Sequence, residues 1–461
     1  MRVIIKSICF IFCVLFFNAC AVMKGYDNSN YQKKVLLDKD SCAMLATFDE
    51  KNDLVYNGSY YGLLARTCKD YKLSISIFDK VEDSYKYNED LEGTASKAGK
   101  AVATFFVNDT IKDYQSYDFE RSMINIYKAL NFIALKDYDS ANAELNRALK
   151  RDDLLGEKLV LLNQEAKKQI KAQTSDITDN TDEIIKNLSD GLSKYKMYKN
   201  NINPFGKYLR SVFYIMDDEP NKASDLLREL MVEYNGENEV IKDDYLLAES
   251  KAKSIKNNEK YIWLIYENGL SPTITTAYVP YTYSKAVIAG GVAASIYTDS
   301  SVPAFVAMMN NTNVLSMPNM QEGESSFEYL SINGKKTKTV SNMNIVVANE
   351  LKGKLTWTVY KTIFSNTTKD LLTLGAGMAG GYVAMMAADI YKQTVNTADT
   401  RMFIGLPNSF DVARVKNNGS VVIKDEDNEV ILSENINKDK NTIVYVKSHD
   451  KDNIVFYIMQ K

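Results

Sequence analysis

No proline occurs before Pro204, and between there and Pro272 only Pro220 intervenes. From residue 41 to about 255, apolar residues recur at three- and four-residue spacing with few breakers. That pattern commits the region to helices, because proline would remove a backbone donor and clash with the preceding turn. Near residue 258 the pattern changes. Lys260 to Tyr266 is a strand-like run ending at Glu267-Asn268-Gly269. Two alternating segments, Phe327 to Ile332 and Lys335 to Val340, flank Asn333-Gly334, a pair that accepts the positive φ values of a type I′ turn. Further strands are predicted at Phe410–Lys416, Ser420–Lys424, Glu429–Ser433, Thr442–Lys447 and Asn453–Met459, with a turn at Asp425 to Asn428. A helical block with glycine-rich stretches, about 344–392, separates the early strands from the late ones. The predicted fold class is therefore α+β and multidomain. An all-α helical array over 41–255 precedes an α+β domain with an antiparallel sheet over 256–461.

Three weakly similar helix-turn-helix units are legible in the helical region. In the clearest, Ala129 and Phe132 share a face of the first helix, Lys136-Asp137-Tyr138 makes the turn, and Ala141, Leu145 and Ala148 line the second helix. Gly62, Ala65, Tyr71, Ser74, Phe78 and Val81 fit a second copy, and Ser211, Tyr214, Ala223, Leu227 and Leu230 a third. Small residues where two helices cross, with a ring closing the turn, resemble the tetratricopeptide repeat. Equivalent positions Ser74, Ala141 and Ala223 are 67 and 82 residues apart, about twice the usual period, so degenerate repeats or long helices must lie between them. A generic helical bundle is the alternative.

The amino terminus sets the expected address. Arg2 and Lys6 precede an apolar core of about a dozen residues, Ser7 to Phe17. That is shorter than the roughly 20 residues a membrane-spanning helix needs, and reads as a leader. It closes with Phe17-Asn18-Ala19-Cys20, a small residue before a cysteine, which resembles the lipobox of bacterial lipoproteins. Phe17 and Asn18 depart from that pattern, where an aliphatic and a small residue are usual. The resemblance implies that Cys20 becomes the first residue of the mature chain and carries acyl chains. Two or three such chains anchor stably, since each buried methylene contributes about 0.8 kcal/mol. Ala21, in place of an aspartate, points to the outer membrane on its periplasmic side. Residues 20–40 are polar and read as a tether. Loss of Arg2 and Lys6 with the leader takes the formal charge from −3 to −5, which argues against nucleic acid and anionic lipid as partners.

Of the 5 cysteines, Cys9 and Cys13 leave with the leader and Cys20 is lipidated. Cys42 and Cys68 remain in an oxidising compartment. Read as a helix over 41–50 followed by one over 56–69, the hairpin brings Cys42 beside Cys68. A disulfide there closes a loop of about 27 residues, worth roughly 3–4 kcal/mol in the chain-entropy model. Two separate buried thiols are the alternative.

No enzymatic constellation emerges. Gly375-Ala-Gly377-Met-Ala-Gly380 is a literal GxGxxG with Asp399 downstream, but it lacks the parallel βαβ setting of a dinucleotide site. Leu371 to Ala388 carries no charge and includes Gly377 and Gly381. It reads as a buried helix, with membrane or partner-helix contact as the alternative. The shorter Ser284 to Ile296 is of the same type. His449, the only histidine, falls in Ser448-His-Asp-Lys-Asp452, expected to be an exposed turn. No zinc set and no cofactor are expected. Asp152-Asp153 and Asp217-Asp218-Glu219 read as solvated helix ends. Asp399 and Arg401 are candidate contacts to a partner, or else a structural ion pair or turn cap.

The units Tyr127 to Tyr138, Glu267-Asn268-Gly269, and Ala398-Asp-Thr-Arg-Met-Phe403 with Leu406-Pro407 occur in this order. Together they resemble a family of uncharacterised outer-membrane lipoproteins with an amino-terminal tetratricopeptide-like region. The resemblance implies an address and an architecture, and no catalytic residues. The expectation is a non-catalytic scaffold or adaptor whose repeat surface meets another envelope protein. An assembly or transport component with membrane-entering glycine-rich helices is second, and a glycan-acting envelope enzyme third.

Overall fold

The computed structural model describes residues 32, 33, 36, 41–92, 114, 116–165, 181–198, 203–253, 259–281, 313–363 and 398–461. The helical half opens with a 3₁₀ segment, Ser41–Thr47, where an α-helix is predicted. Helical hairpins follow. α1 (Leu54–Thr67) pairs with α2 (Tyr71–Glu92), and α3 (Asp118–Ala134) with α4 (Tyr138–Glu165). α5 (Thr181–Gly191) buries Ile184 against Leu315, Met317 and Leu355, and α6 (Pro204–Met216) pairs with α7 (Pro220–Glu233), which in turn packs on α8 (Glu239–Ala252).

The turns share one chemistry. Lys69, Lys136, Asp218 and Asn235 sit at φ 63°, 64°, 59° and 51°. In each turn the next amide reaches back five residues. Asp70 donates to the Ala65 carbonyl at 2.9 Å, and Asp137 to Phe132, Glu219 to Tyr214 and Gly236 to Met231 at 2.8 Å. This closure satisfies helix-end carbonyls at the cost of one left-handed residue. In the first two turns the aspartate then starts the next helix: Asp70 Oδ1 accepts from the Leu73 amide at 3.0 Å and Asp137 Oδ1 from Ser140 at 3.1 Å. Glycine permits close crossing of α1 and α2. A Cβ on Gly62 would stand 2.5 Å from the Phe78 ring.

Proline is compatible with α6 and α7 because Pro204 and Pro220 occupy their first turns, where the amide needs no helical partner.

The carboxy-terminal half builds three sheets. β1 (Tyr261–Asn268), β6 (Lys338–Asn342), β7 (Ser409–Lys416), β10 (Thr442–Ser448) and β11 (Ile454–Gln460) form a five-stranded sheet in the order β11-β10-β1-β7-β6. Three of its four pairings are antiparallel, as expected, and the central β1–β10 pair is parallel. β2 (Thr273–Tyr281) and β3 (Asn313–Gln321) form a separate hairpin-like pair. β4 (Ser331–Ile332), β5 (Lys335–Lys336), β8 (Ser420–Lys424) and β9 (Val430–Asn435) make a small sheet in the order β5-β4-β8-β9. At the β4–β5 turn Asn333 and Gly334 have φ 47° and 85°, as the type I′ reading requires. Residues 343–363 form a further helix, α9.

Every residue of β1 is buried, and its two faces serve different layers. Trp263 and Ile265 join the helices in one core with Phe78, Tyr127 and Phe205. Ile262, Leu264 and Tyr266 face the small sheet, with Phe327, Ile332, Val421 and Ile423. Strand alternation thus produces helices, a central sheet and a second sheet, stacked in that order. Phe205 of α6 stacks on Phe410 of β7 with ring centroids 3.8 Å apart.

The composition change near residue 258 marks a change of element type and leaves the core continuous. α3 is buried along almost its whole length. Strands of the five-stranded sheet cover one side of the helices and share a core with them.

Candidate functional site

Cys20 lies outside the described residues, as do the glycine-rich Leu371 to Ala388 with its GxGxxG and the segment Ser284 to Ile296. The expected tether is partly docked. Gln32 is 3% exposed and donates to the Ser271 hydroxyl at 3.3 Å, Lys33 pairs with Glu324, and Leu36 is 9% exposed. Cys42 and Cys68 are joined by a disulfide with Cα atoms 5.9 Å apart, pinning the 3₁₀ segment to the end of α1.

Asp399 and Arg401 form the structural ion pair and turn cap that the sequence offered as the alternative. The Arg401 side chain is 3% exposed and bridges Asp399 and Asp53, each at 2.7 Å. Its backbone amide also donates to Asp399 Oδ1 at 3.0 Å, so the aspartate serves as ion partner and turn cap at once.

Asp152 also departs from the solvated-end reading. It sits inside α4, and burial pushes its carboxyl up to about 7 against the pull of Ser122 and Lys207. Asp217 does sit at a helix end, where it pairs with Lys461.

A buried polar cluster links the helices to the sheet. The Glu267 carboxylate of β1 accepts from the Lys447 ammonium and the Tyr445 hydroxyl of β10, and from the Tyr127 hydroxyl of α3 at 3.2 Å. Lys447 donates also to the Gly405 carbonyl at 2.8 Å. Arg66 of α1 lies over the Tyr445 and Tyr457 rings at 5.3 and 4.9 Å and donates to Asn131 Oδ1 at 2.8 Å. Alternation along β10 directs Tyr445 and Lys447 here from a strand whose register with β1 is set by parallel pairing. A comparable tie lies further along: Asp244 of α8 pairs with Arg414 and accepts from Tyr208 and Trp263 at 2.7 and 3.3 Å. Such groups tie the helices to the sheet as buried polar crosslinks.

Beside this cluster, between α1, the disulfide-pinned segment and the β10–β11 turn, lies a cleft of about 250 Å³. Leu36, Leu63, Leu64 and Ile454 supply apolar wall, while Lys447 and His449 supply polar surface. His449 is 8% exposed, which overturns the exposed-turn expectation. The residue follows directly on β10 and its amide donates to the Asn453 carbonyl, so it is still part of a covered strand end. Burial, helped by the charge on Lys447, pushes the imidazole well below its ordinary value, leaving it neutral at pH 7. Burial likewise lowers Lys447, opposed by Glu267. Sequence reasoning missed this site. The signal available was the alternation Tyr445-x-Lys447-x-His449, which places three hydrogen-bonding side chains on one strand face.

Among the described residues no helix is long and apolar enough to cross a membrane, and no group of His, Cys, Asp and Glu is arranged to hold a metal ion. Comparison with models of known protein families, with curated proteins and with solved structures gave no match.

Proposed function

We propose that the chain is a lipid-anchored binding protein of the bacterial cell envelope. Acyl chains on Cys20 would hold it to the outer membrane on the periplasmic side, as a non-catalytic scaffold or adaptor. The observation that carries this reading is the Cys42–Cys68 bridge within the folded body. Such bonds persist in oxidising compartments, and the leader ending at Cys20 supplies the route there. The repeated hairpin turns and the close α1–α2 crossing support a tetratricopeptide-like origin for the helices, although the period is about twice the usual one. Since the sheet covers one side of α3, a protein partner meets the outer helices or the cleft beside His449.

The test is radiolabelled palmitate feeding of cells producing the native chain and Cys20→Ser, followed by mass spectrometry of the amino terminus. Label on the native chain and none on the variant is expected. A native product with an unmodified amino terminus still bearing residues 1–19 overturns the address.

A further inference from the structure

We infer that the cleft beside Lys447 and His449 binds a small amphiphilic monoanion, a carboxylate joined to a short apolar body. The inference deepens the binding reading and rests on it only for the claim that the fold acts by binding.

Charge balance is the first argument. Lys447 and Arg66 are both buried, and among the described residues Glu267 is the one carboxylate in their cluster. Glu267 is already engaged by Lys447, Tyr445 and Tyr127. Among the described residues no carboxylate stands within ion-pair distance of Arg66, which is left with Asn131 and the tyrosine rings. The cluster therefore holds one surplus positive charge away from water, a costly arrangement that an anion relieves.

Unused donors are the second argument. A lysine ammonium has three N–H groups. Two of those on Lys447 reach Glu267 and Gly405, and the third has no acceptor among the described residues. His449 is more than nine-tenths buried and lines the cleft, and its Nδ1 has no hydrogen-bond partner among the described residues. Buried polar atoms without partners are rare enough to call for a ligand or a water. A carboxylate placed between them accepts a hydrogen bond from each residue, with the neutral imidazole donating through its N–H.

Shape and rim fix the rest. Leu36, Leu63, Leu64 and Ile454 offer apolar contact next to those donors. A volume of about 250 Å³ falls just below the range of about 300–1,000 Å³ usual for drug-sized ligands, so the body must be short. Asp452, exposed at the rim, disfavours a second negative charge.

Isothermal titration of the mature chain in phospholipid nanodiscs, with empty discs as reference, tests this. The probes are 3-phenylpropanoate, 3-phenylpropanol, 3-phenylpropylamine and inorganic phosphate. Saturable single-site heat is expected with the carboxylate, and affinity at least about tenfold weaker for the alcohol, a difference of about 1.4 kcal/mol. No binding is expected for the amine or phosphate. Ile454→Trp, which fills the cleft, should abolish the heat while the thermal transition is kept. Should that variant fail to fold, Asn453→Trp on the turn makes the same test from the rim. Absence of saturable heat, equal binding of the amine, or carboxylate binding undiminished in a folded cleft-filling variant overturns the inference. A chain that proves to lack acyl groups yet binds 3-phenylpropanoate loses the address and keeps the site.

Discussion

Arg401 joins two aspartates that lie far apart in the chain, Asp399 beside it and Asp53 at the start of α1, with 2.7 Å contacts to both. Asp53 is held in a left-handed conformation at φ 44° and its other carboxylate oxygen accepts from the Tyr114 amide at 3.0 Å. The guanidinium, over the Tyr114 ring at 5.4 Å, therefore fastens the loop before β7 to the first helical hairpin. Replacing Arg401 by Met leaves two partly buried carboxylates facing each other. The expected loss is about 3–5 kcal/mol in denaturant unfolding, the usual cost of breaking a buried pair. Arg401→Lys should recover part of it, since the charge returns without the planar fork. A surface contact to a partner predicts no change in either variant, and that result would remove the structural assignment.

Gly62→Ala should destabilise by about 1–3 kcal/mol, the range for inserting a methyl into a packed core. Phe78 cannot move aside freely, because its ring is stacked with Tyr127 and lies edge-on to Phe403. Gly191→Ala provides the control: nothing lies within 4 Å of its Cβ position at the end of α5. There the substitution should be neutral or gain up to about 1 kcal/mol from helix propensity. Equal effects at both positions in urea titrations would contradict the close α1–α2 crossing.

Stability should fall as pH rises from about 4.5 to 7, with the buried Glu120 adding its share to that of Asp152. Burial pushes the Glu120 carboxyl up from 4.5 to about 7, although the Phe403 and Tyr117 amides and the Tyr114 and Ser116 hydroxyls donate to it. The sign follows from proton counts. Between those values the unfolded chain has released the proton while the folded chain retains it, so raising the pH favours unfolding. Stability from this group is complete below 4.5 and is lost as pH passes 7, roughly 3 kcal/mol in all. Glu120→Gln should make that part of the profile shallower, leaving the share of Asp152, measured as unfolding free energy from pH 4.5 to 8. An unchanged slope in the variant would assign the dependence elsewhere.

Local chemistry made much of the fold readable. Asn333-Gly334, the Lys-Asp-Tyr turns and the alternating runs of β7 to β11 each carry their own structural instruction within a few residues. β2 and β3 escaped notice because Pro280 and Pro318 interrupt their alternation and the two pair across a long intervening segment. The β1–β10 parallel pairing had no local signal at all, since Ile262 meets Thr442 from the far end of the domain. His449 was misplaced for the same reason. Its neighbours Ser448, Asp450 and Lys451 are polar and look like a surface turn, yet the residue is only 8% exposed. Burial of that kind is decided by contacts remote in sequence, which composition does not record.

The Cys42–Cys68 bond closes a separation of 26 residues and ties the 3₁₀ segment Ser41–Thr47 to the end of α1. Met44 and Leu45 of that segment also pack against the core. None of its residues is buried, and its clearest side-chain tie is Thr47 with the Tyr61 hydroxyl at 2.9 Å. Reduction should therefore act in two ways. It lengthens the free unfolded chain, costing roughly 3–4 kcal/mol of stability in the chain-entropy model. It also releases one wall of the cleft, because Ser41 and Cys42 line it. The double variant Cys42→Ser with Cys68→Ser should show the lower denaturation midpoint without reductant, and faster amide exchange confined to residues 41–47 before global unfolding. Native chain titrated with and without reductant should differ by the same amount as native and double variant. A midpoint indifferent to reductant would mean that the helices, and not the bond, hold this end of the molecule together.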